Sequence, residues 1–361
     1  MRISFIGKIE ANDENSKVPF YRTIDGKVKG AGLNLVCIEG QNNRAFLEMA
    51  GFKNDPIKTK DVDNNKIEIA WDDRFVSDEV KKVANFRKHV ITLNDERHEF
   101  ISELDFINFV RDHIDEIKGK RYQFTGQIAK NEYKGKLSDR FRIQSMYEIT
   151  DDAKKNALTV TGDFYFNKDS IDTAEWKDKK LYLNGWTDEY IDQEHPHMFC
   201  ARQLVFDCTK INFEEERHVQ ILNYRLKQIG LALDENNKIV SKLKKGKYYK
   251  IAVVCRYVNG NETVEFTEKD LTDNQREAVQ LGIETIDDFR PKGAIFGDRV
   301  TVLKLKDFDL RGDYTEGCVL AEDFDEDRIY TPTENESVDQ AFAEDAMNEP
   351  EEDDDGASLF D

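Results

Sequence analysis

Apolar and polar residues alternate at the head of the chain. Ile3, Phe5, Gly7 and Ile9 take every second place, and so do Leu33, Leu35 and Cys37 before the turn-forming run Glu39-Gly40-Gln41-Asn42-Asn43. A period of two is that of a strand with one face turned to a core. Residues Thr59 to Trp71 predict a hairpin, with Asn64-Asn65 at the turn and Ile67, Ile69 and Trp71 along one face. The spacing then changes. Leu104, Ile107, Val110, Ile114 and Ile117 recur at steps of three and four and predict an amphipathic helix that Gly119 ends.

Strand patterns return from Leu158 to Phe166, around the Asn184-Gly185 turn signal, and from Met198 to Thr209. A second amphipathic helix follows on Val219, Leu222, Leu226 and Ile229, closed by Gly230. Tyr248 to Val258 and Thr263 to Phe266 flank Asn259-Gly260 and predict a hairpin. Thr272 and Gln275 have capping-box spacing for a short helix, and Arg299 to Leu305 predict a last strand. The octets 5–12 and 124–131 share Phe, Gly, Ile and Asn at the same offsets, each at the head of a β-rich block. That repeat predicts a first unit over 1–118, ending in the amphipathic helix, and a larger second unit over 119–320 with helical insertions. The fold class is mainly β with a few helices (α+β). A glycine within a first strand fits the bend that a small closed barrel needs.

Charge changes the picture once it is placed along the chain. The 361 residues carry a net charge of -20, which by itself argues against nucleic acid as a partner. From Ala321 to Asp361, however, there are 17 acids and one base, Arg328, so this stretch holds -16 and the remaining 320 residues only -4. Acid blocks and sparse apolar residues predict a disordered acidic tail over 321–361, with Leu359 and Phe360 as an apolar, partner-binding tip. No apolar run approaches the roughly 18 residues of a membrane span. Five cysteines without a CxxC pair suit a reducing compartment, so a cytoplasmic protein is expected.

Bases concentrate in two segments. Residues 117–147 hold eight, among them Lys120, Arg121, Lys130, Lys134, Lys136, Arg140 and Arg142, against Glu132 and Asp139, with Tyr122, Phe124, Tyr133, Phe141 and Tyr147 interleaved. Residues 242–257 hold six, including Lys247, Lys250 and Arg256, with Tyr248, Tyr249 and Tyr257 and no acid. Bases that neutralise phosphates beside rings that stack on bases make a single-strand-binding face. The competing reading sends the rings into the core and leaves the bases to solvate the opposite side of each strand.

Other chemistry finds little support. No phosphate-binding glycine loop and no G-x-S-x-G elbow is present. His195, His197, Cys200, Cys208 and His218 concentrate metal-ligand residue types, but Cys200 and Cys208 lie eight apart in one predicted strand, and a buried cysteine with loop histidines is the favoured reading. No cofactor is expected, and the chain is read as a non-enzyme.

The residue 349–361 tail and the strand pair from Phe124 to Tyr147 give the chain a resemblance to bacteriophage-type single-stranded-DNA-binding proteins built on OB folds. The resemblance implies tandem OB-like five-stranded barrels, protection of single strands in phage DNA replication and recombination in the host-cell cytoplasm, and recruitment of replication or recombination proteins through the acidic tail. Phe360 is followed by Asp361, whereas bacterial members end on Phe. The alternative function is a protein-interaction scaffold or DNA mimic that binds a basic replication or host protein.

Overall fold

The alternating positions at the head of the chain form β1 (Arg2–Glu10), which buries Ile3, Phe5 and Ile9. In this computed structural model the described residues are 1–332 except 14, 27, 41, 134, 193, 265–270, 282, 284, 286–288 and 290–294. After β1 come β2 (Tyr21–Ile24), β3 (Gly30–Ile38), β4 (Arg44–Phe52), the hairpin β5 (Ile57–Lys60) and β6 (Lys66–Ile69), α1 (Ser77–Lys82), β7 (His89–Leu93) and β8 (Glu96–Phe100). Next are α2 (Glu103–Asp112), α3 (Ile114–Ile117), β9 (Arg121–Tyr133) and β10 (Lys136–Glu148). Ser102 caps α2 through its hydroxyl, and Phe106, Ile107 and Val110 of that helix enter the same core as β1.

The strands of this half close on themselves. β1 pairs antiparallel with β3, β3 with β4, β10 with β9 and β9 with β1, while β4 and β10 run parallel. The circuit is therefore β1-β3-β4-β10-β9-β1. Gly7 sits where one edge of β1 changes partner, from β11 (Ala157–Phe166) along residues 2–6 to β3 along residues 8–10. A Cβ at Gly7 would lie 2.4 Å from the Ile38 carbonyl oxygen, so only glycine lets the two backbones approach there.

A second circuit follows. Beyond β11 are β12 (Ile171–Asp172), β13 (Lys180–Glu189), β14 (Met198–Asp207), α4 (Glu216–Gln228), β15 (Leu231–Leu233), β16 (Ile239–Ser241), β17 (Tyr249–Val264), α5 (Asp273–Gln280), β18 (Ile295–Phe308) and β19 (Val319–Leu320). β11 pairs with β13, β13 with β14, β18 with β17 and β17 with β11, all antiparallel, and β14 runs parallel to β18. In each circuit an amphipathic helix, α2 or α4, falls between the third and fourth strands.

Several expectations change. β9 and β10, expected beyond a boundary at residue 118, complete the first circuit. The octets at Phe5 and Phe124 do not head two units; they lie in neighbouring strands of one, with Phe5 and Phe124 directly opposite each other. The predicted hairpin at Asn259-Gly260 is absent: both residues lie inside β17, which continues to Val264, and residues 265 and 266 fall outside the described residues. A Cβ on Gly260 would stand 1.5 Å from the Asn42 carbonyl oxygen, so this glycine serves a backbone contact rather than a turn. Residues 321–332 of the expected tail are built into the fold, and 333–361, with Leu359 and Phe360, lie outside the described residues.

One hydrophobic cluster runs through both circuits. Two polar joints cross it. Asn43, in the β3–β4 turn, donates to the Tyr257 carbonyl at 3.0 Å and accepts from the Asn259 amide at 2.8 Å, so a side chain continues the backbone pairing of β17. The other joint is an ionic chain. The Met1 α-amino group meets Glu189 at 3.0 Å, Glu189 meets Arg202 at 3.1 Å, Arg202 pairs with Asp139, and Asp139 meets Lys130 at 2.7 Å. Burial works against the Asp139 carboxylate, but Arg202 and Lys130 outweigh it and hold its pKa at about 2.

Candidate nucleic-acid interface

Strand alternation sends Leu33, Leu35, Leu47 and Met49 inward and turns Asn34, Phe46, Glu48 and Ala50 to the outer face of β3 and β4. β10 adds Arg140 and Arg142 to that face, because its intervening Phe141 and Ile143 enter the core. The strand register sets Asn34 opposite Glu48 and Glu48 opposite Arg142. From β2, Arg22 lies across Gly32, where a Cβ would stand 2.9 Å from the Arg22 Nε. The absence of a side chain at Gly32 thus leaves room for the Arg22 guanidinium over the strand.

Arg22, Gly32, Asn34, Glu48, Met49, Ala50, Arg140 and Arg142 line a cleft of about 250 Å³, together with Ala129, Lys130, Asn131, Tyr190 and Ile191. Three guanidinium groups face one carboxylate here. Arg140 Nε lies 3.4 Å from the Glu48 carboxylate, and burial raises the Glu48 pKa while Arg140, Arg142 and Arg22 oppose that rise. Lys130 also lines the cleft, but its charge is taken by Asp139. Two exposed rings, those of Phe46 and Phe86, belong to segments tied to this sheet. Phe46 stands two residues before Glu48, and the carbonyl of Phe86 accepts a hydrogen bond from the Gln144 side chain, two residues beyond Arg142 on β10.

The predicted site residues separate by strand face. Tyr122 and Phe124 are fully buried, Phe141 nearly so, and Tyr257 packs on both Phe5 and Phe141 at 6.1 and 4.7 Å centroid distance. These rings form the core, and the stacking surface expected of them is not there. Tyr147 is half-buried; Tyr133 lies in β9 at the hairpin end, and Lys134 falls outside the described residues. Lys136 and Lys247 are exposed. Lys120 pairs with Glu148 at 3.0 Å, Arg121 donates to Asn156 at 2.9 Å, and Arg256 meets Glu39 at 3.0 Å. Among the described residues of the predicted set, Lys130, Arg140 and Arg142 reach the cleft. Arg22, Asn34 and Glu48 were missed, because no pattern in the sequence tells which strands pair and so which outward side chains meet; the glycine at position 32 was the one local sign.

Tyr248 and Lys250 are covered by the chain itself. Residues 321–330 strap across β13, β14 and β17. Phe324 stacks on Tyr248 at 4.2 Å and packs on Phe199 and Trp186, while Asp323 meets Lys250 at 2.9 Å and accepts from the Tyr165 hydroxyl at 2.9 Å. Arg328 then pairs with Asp188 at 3.1 Å.

Among the described residues no group of three or more His, Cys, Asp and Glu side chains is placed to hold a metal ion. Cys200 and Cys208 are buried, His195 and His197 meet Asp192 and Asp188, and His218 meets Glu215. No helix among the described residues is long and apolar enough to cross a membrane.

No protein-family model matches the chain, and no curated protein does. Among solved structures the chain is similar to the single-stranded DNA binding protein from Thermus aquaticus. A deletion mutant of that protein aligns with 11% identity and a TM-score of 0.28 over 72% of this chain and 86% of the other. The wild-type protein aligns with 11% identity and a TM-score of 0.27 over 72% and 84%.

Proposed function

We propose that the protein binds single-stranded DNA, largely without regard to sequence, through the arginine-lined cleft on β3, β4 and β10. Each five-strand circuit is an OB-like barrel, over about 1–149 and 157–320, with strand order 1-2-3-5-4 and a helix between the third and fourth strands. The cleft lies where such barrels take oligonucleotides, on the second and third strands and the loops beside them. The observation that carries the reading is the convergence of Arg22, Arg140 and Arg142, from a loop-borne strand and from the fifth strand, on one concave face. Guanidinium groups held together there neutralise phosphates and release counterions, while Phe46 and Phe86 offer faces for bases. The chain is a non-enzyme in this reading. It protects single strands in phage replication and recombination, and residues 333–361 recruit partner proteins.

Titration of oligo-dT by fluorescence anisotropy across a salt series tests the reading. Arg140→Ala and Arg142→Ala should each weaken binding several-fold and lower the slope of log K against log salt by about 0.7 for each phosphate that is no longer neutralised. Full-length protein that ignores oligo-dT at low salt would overturn the function. Unchanged slopes in both variants would move the interface away from the cleft.

A further inference from the structure

A carboxylate at the floor of a phosphate-binding cleft opposes the ligand's own charge. Glu48 could have been neutral without loss of packing, since its side chain lies on the outer face of β4 and remains 35% exposed. Its place is well defined. Asn34 and Arg142 stand opposite it on the two neighbouring strands, Arg140 Nε lies 3.4 Å from its carboxylate, and its side chain lines the cleft. The cleft volume of about 250 Å³ suits one nucleobase with its sugar-phosphate outside, not a stacked pair. Arg22, Arg140 and Arg142 account for the phosphate. The carboxylate is left facing the base.

Acceptor-only groups discriminate between bases. The pairing edge of guanine presents two adjacent donors, N1–H and the N2 amino group, which match the two oxygens of a carboxylate. Thymine and uracil present one N–H between two carbonyl oxygens, and those oxygens face the carboxylate with like charge. Adenine and cytosine present one amino donor beside an acceptor. Resting on the strand-binding reading above, we infer that the cleft seats a single nucleotide and that Glu48 makes guanine the preferred base at that position. Elsewhere along the strand, binding stays indifferent to sequence, because backbone charge and ring stacking carry it.

The test uses the full chain and three oligonucleotides of equal length at one salt concentration: dT, an alternating thymine–guanine repeat, and the same repeat with inosine for guanine, which lacks the N2 amino group. The guanine repeat should bind at least about fivefold tighter than dT, and inosine should lose much of that gain. In Glu48→Gln the guanine-to-thymine ratio should fall toward one while dT binds more tightly, since a negative charge has left the cleft. A Glu48 that merely holds the arginines apart would shift all three ligands together and leave the ratio as it was. Equal wild-type affinities for dT and the guanine repeat, or a ratio that survives Glu48→Gln, would overturn the inference and leave strand binding standing. No binding of any of the three would overturn both. The wild-type comparison of guanine with inosine does not depend on any variant folding.

Discussion

His89 opens β7 with its Nδ1 3.2 Å from the Gln144 carbonyl oxygen and its ring beside Phe106. Burial, and less strongly the charge of Arg142, pull its pKa down to about 4 against the pull of that carbonyl. In the unfolded chain a histidine titrates near pH 6.5. Between there and about 4 the unfolded chain takes up a proton that the folded chain refuses, so stability falls as the pH drops through this window and is fully present above it. Denaturant unfolding at pH 7 and pH 4.5 should show this group contributing a loss on the order of 2 kcal/mol, and His89→Gln should remove that share. An equal acid loss in both proteins would count against it. The same scale decides the candidate site. Phe141 and Arg142 both fit a basic aromatic strand, yet the ring is core and the guanidinium is cleft, because neighbours in a strand face opposite ways. Glu48 carries no mark in the sequence that separates it from the chain's other acids.

Element by element, the periodicities were legible and the turns less so. The hairpin at Asn64-Asn65 forms, with Asn64 at a φ of 69° and the Asp61 carboxylate accepting from the Asn65 amide at 2.8 Å. The Thr272 capping box forms too. Asn259-Gly260 has the same local turn chemistry and is instead mid-strand, because Asn42 of the other circuit lies on it and Asn43 serves as its partner. Gly260→Ala should therefore drive the two elements apart and destabilise the protein by about 1–3 kcal/mol, measurable as a lower denaturation midpoint with the same transition slope. A variant as stable as wild type would mean that the turn yields without cost. The strap at 321–330 is a further element that composition concealed. Its five acids suggested solvated tail, yet Phe324 and Ile329 pack with Tyr165 and Phe199 into a small apolar cluster of their own.

At the scale of the whole molecule, the two circuits are joined by β1 pairing with β11, by Asn43, and by the buried chain from Met1 to Lys130. Removal of one partner from that chain would leave a buried charge uncompensated. The position of the strap also decides where the acidic segment can be cut. A chain ended after Pro332 should keep the thermal midpoint of the full protein and, if residues 333–361 compete for the arginine cleft, bind oligo-dT more tightly at low salt. A chain ended after Ala321 should melt several degrees lower, because the stacking of Phe324 on Tyr248 and the ion pair of Arg328 with Asp188 go with the strap. Equal melting of the two truncations would make the strap dispensable. Period-two and period-three-to-four patterns by themselves determined that this is a mainly β chain with two amphipathic helices, and residue counts determined that most of its net negative charge is gathered at one end. Only the tertiary structure decided which strands close each ring, that the octets at Phe5 and Phe124 face one another, and that Arg22 joins Arg140 and Arg142 around Glu48. The physical reason is that periodicity records burial along a strand, a local property. Pairing between strands a hundred residues apart depends on backbone approach at Gly7 and Gly260 and on partners such as Asn43, which no local pattern encodes.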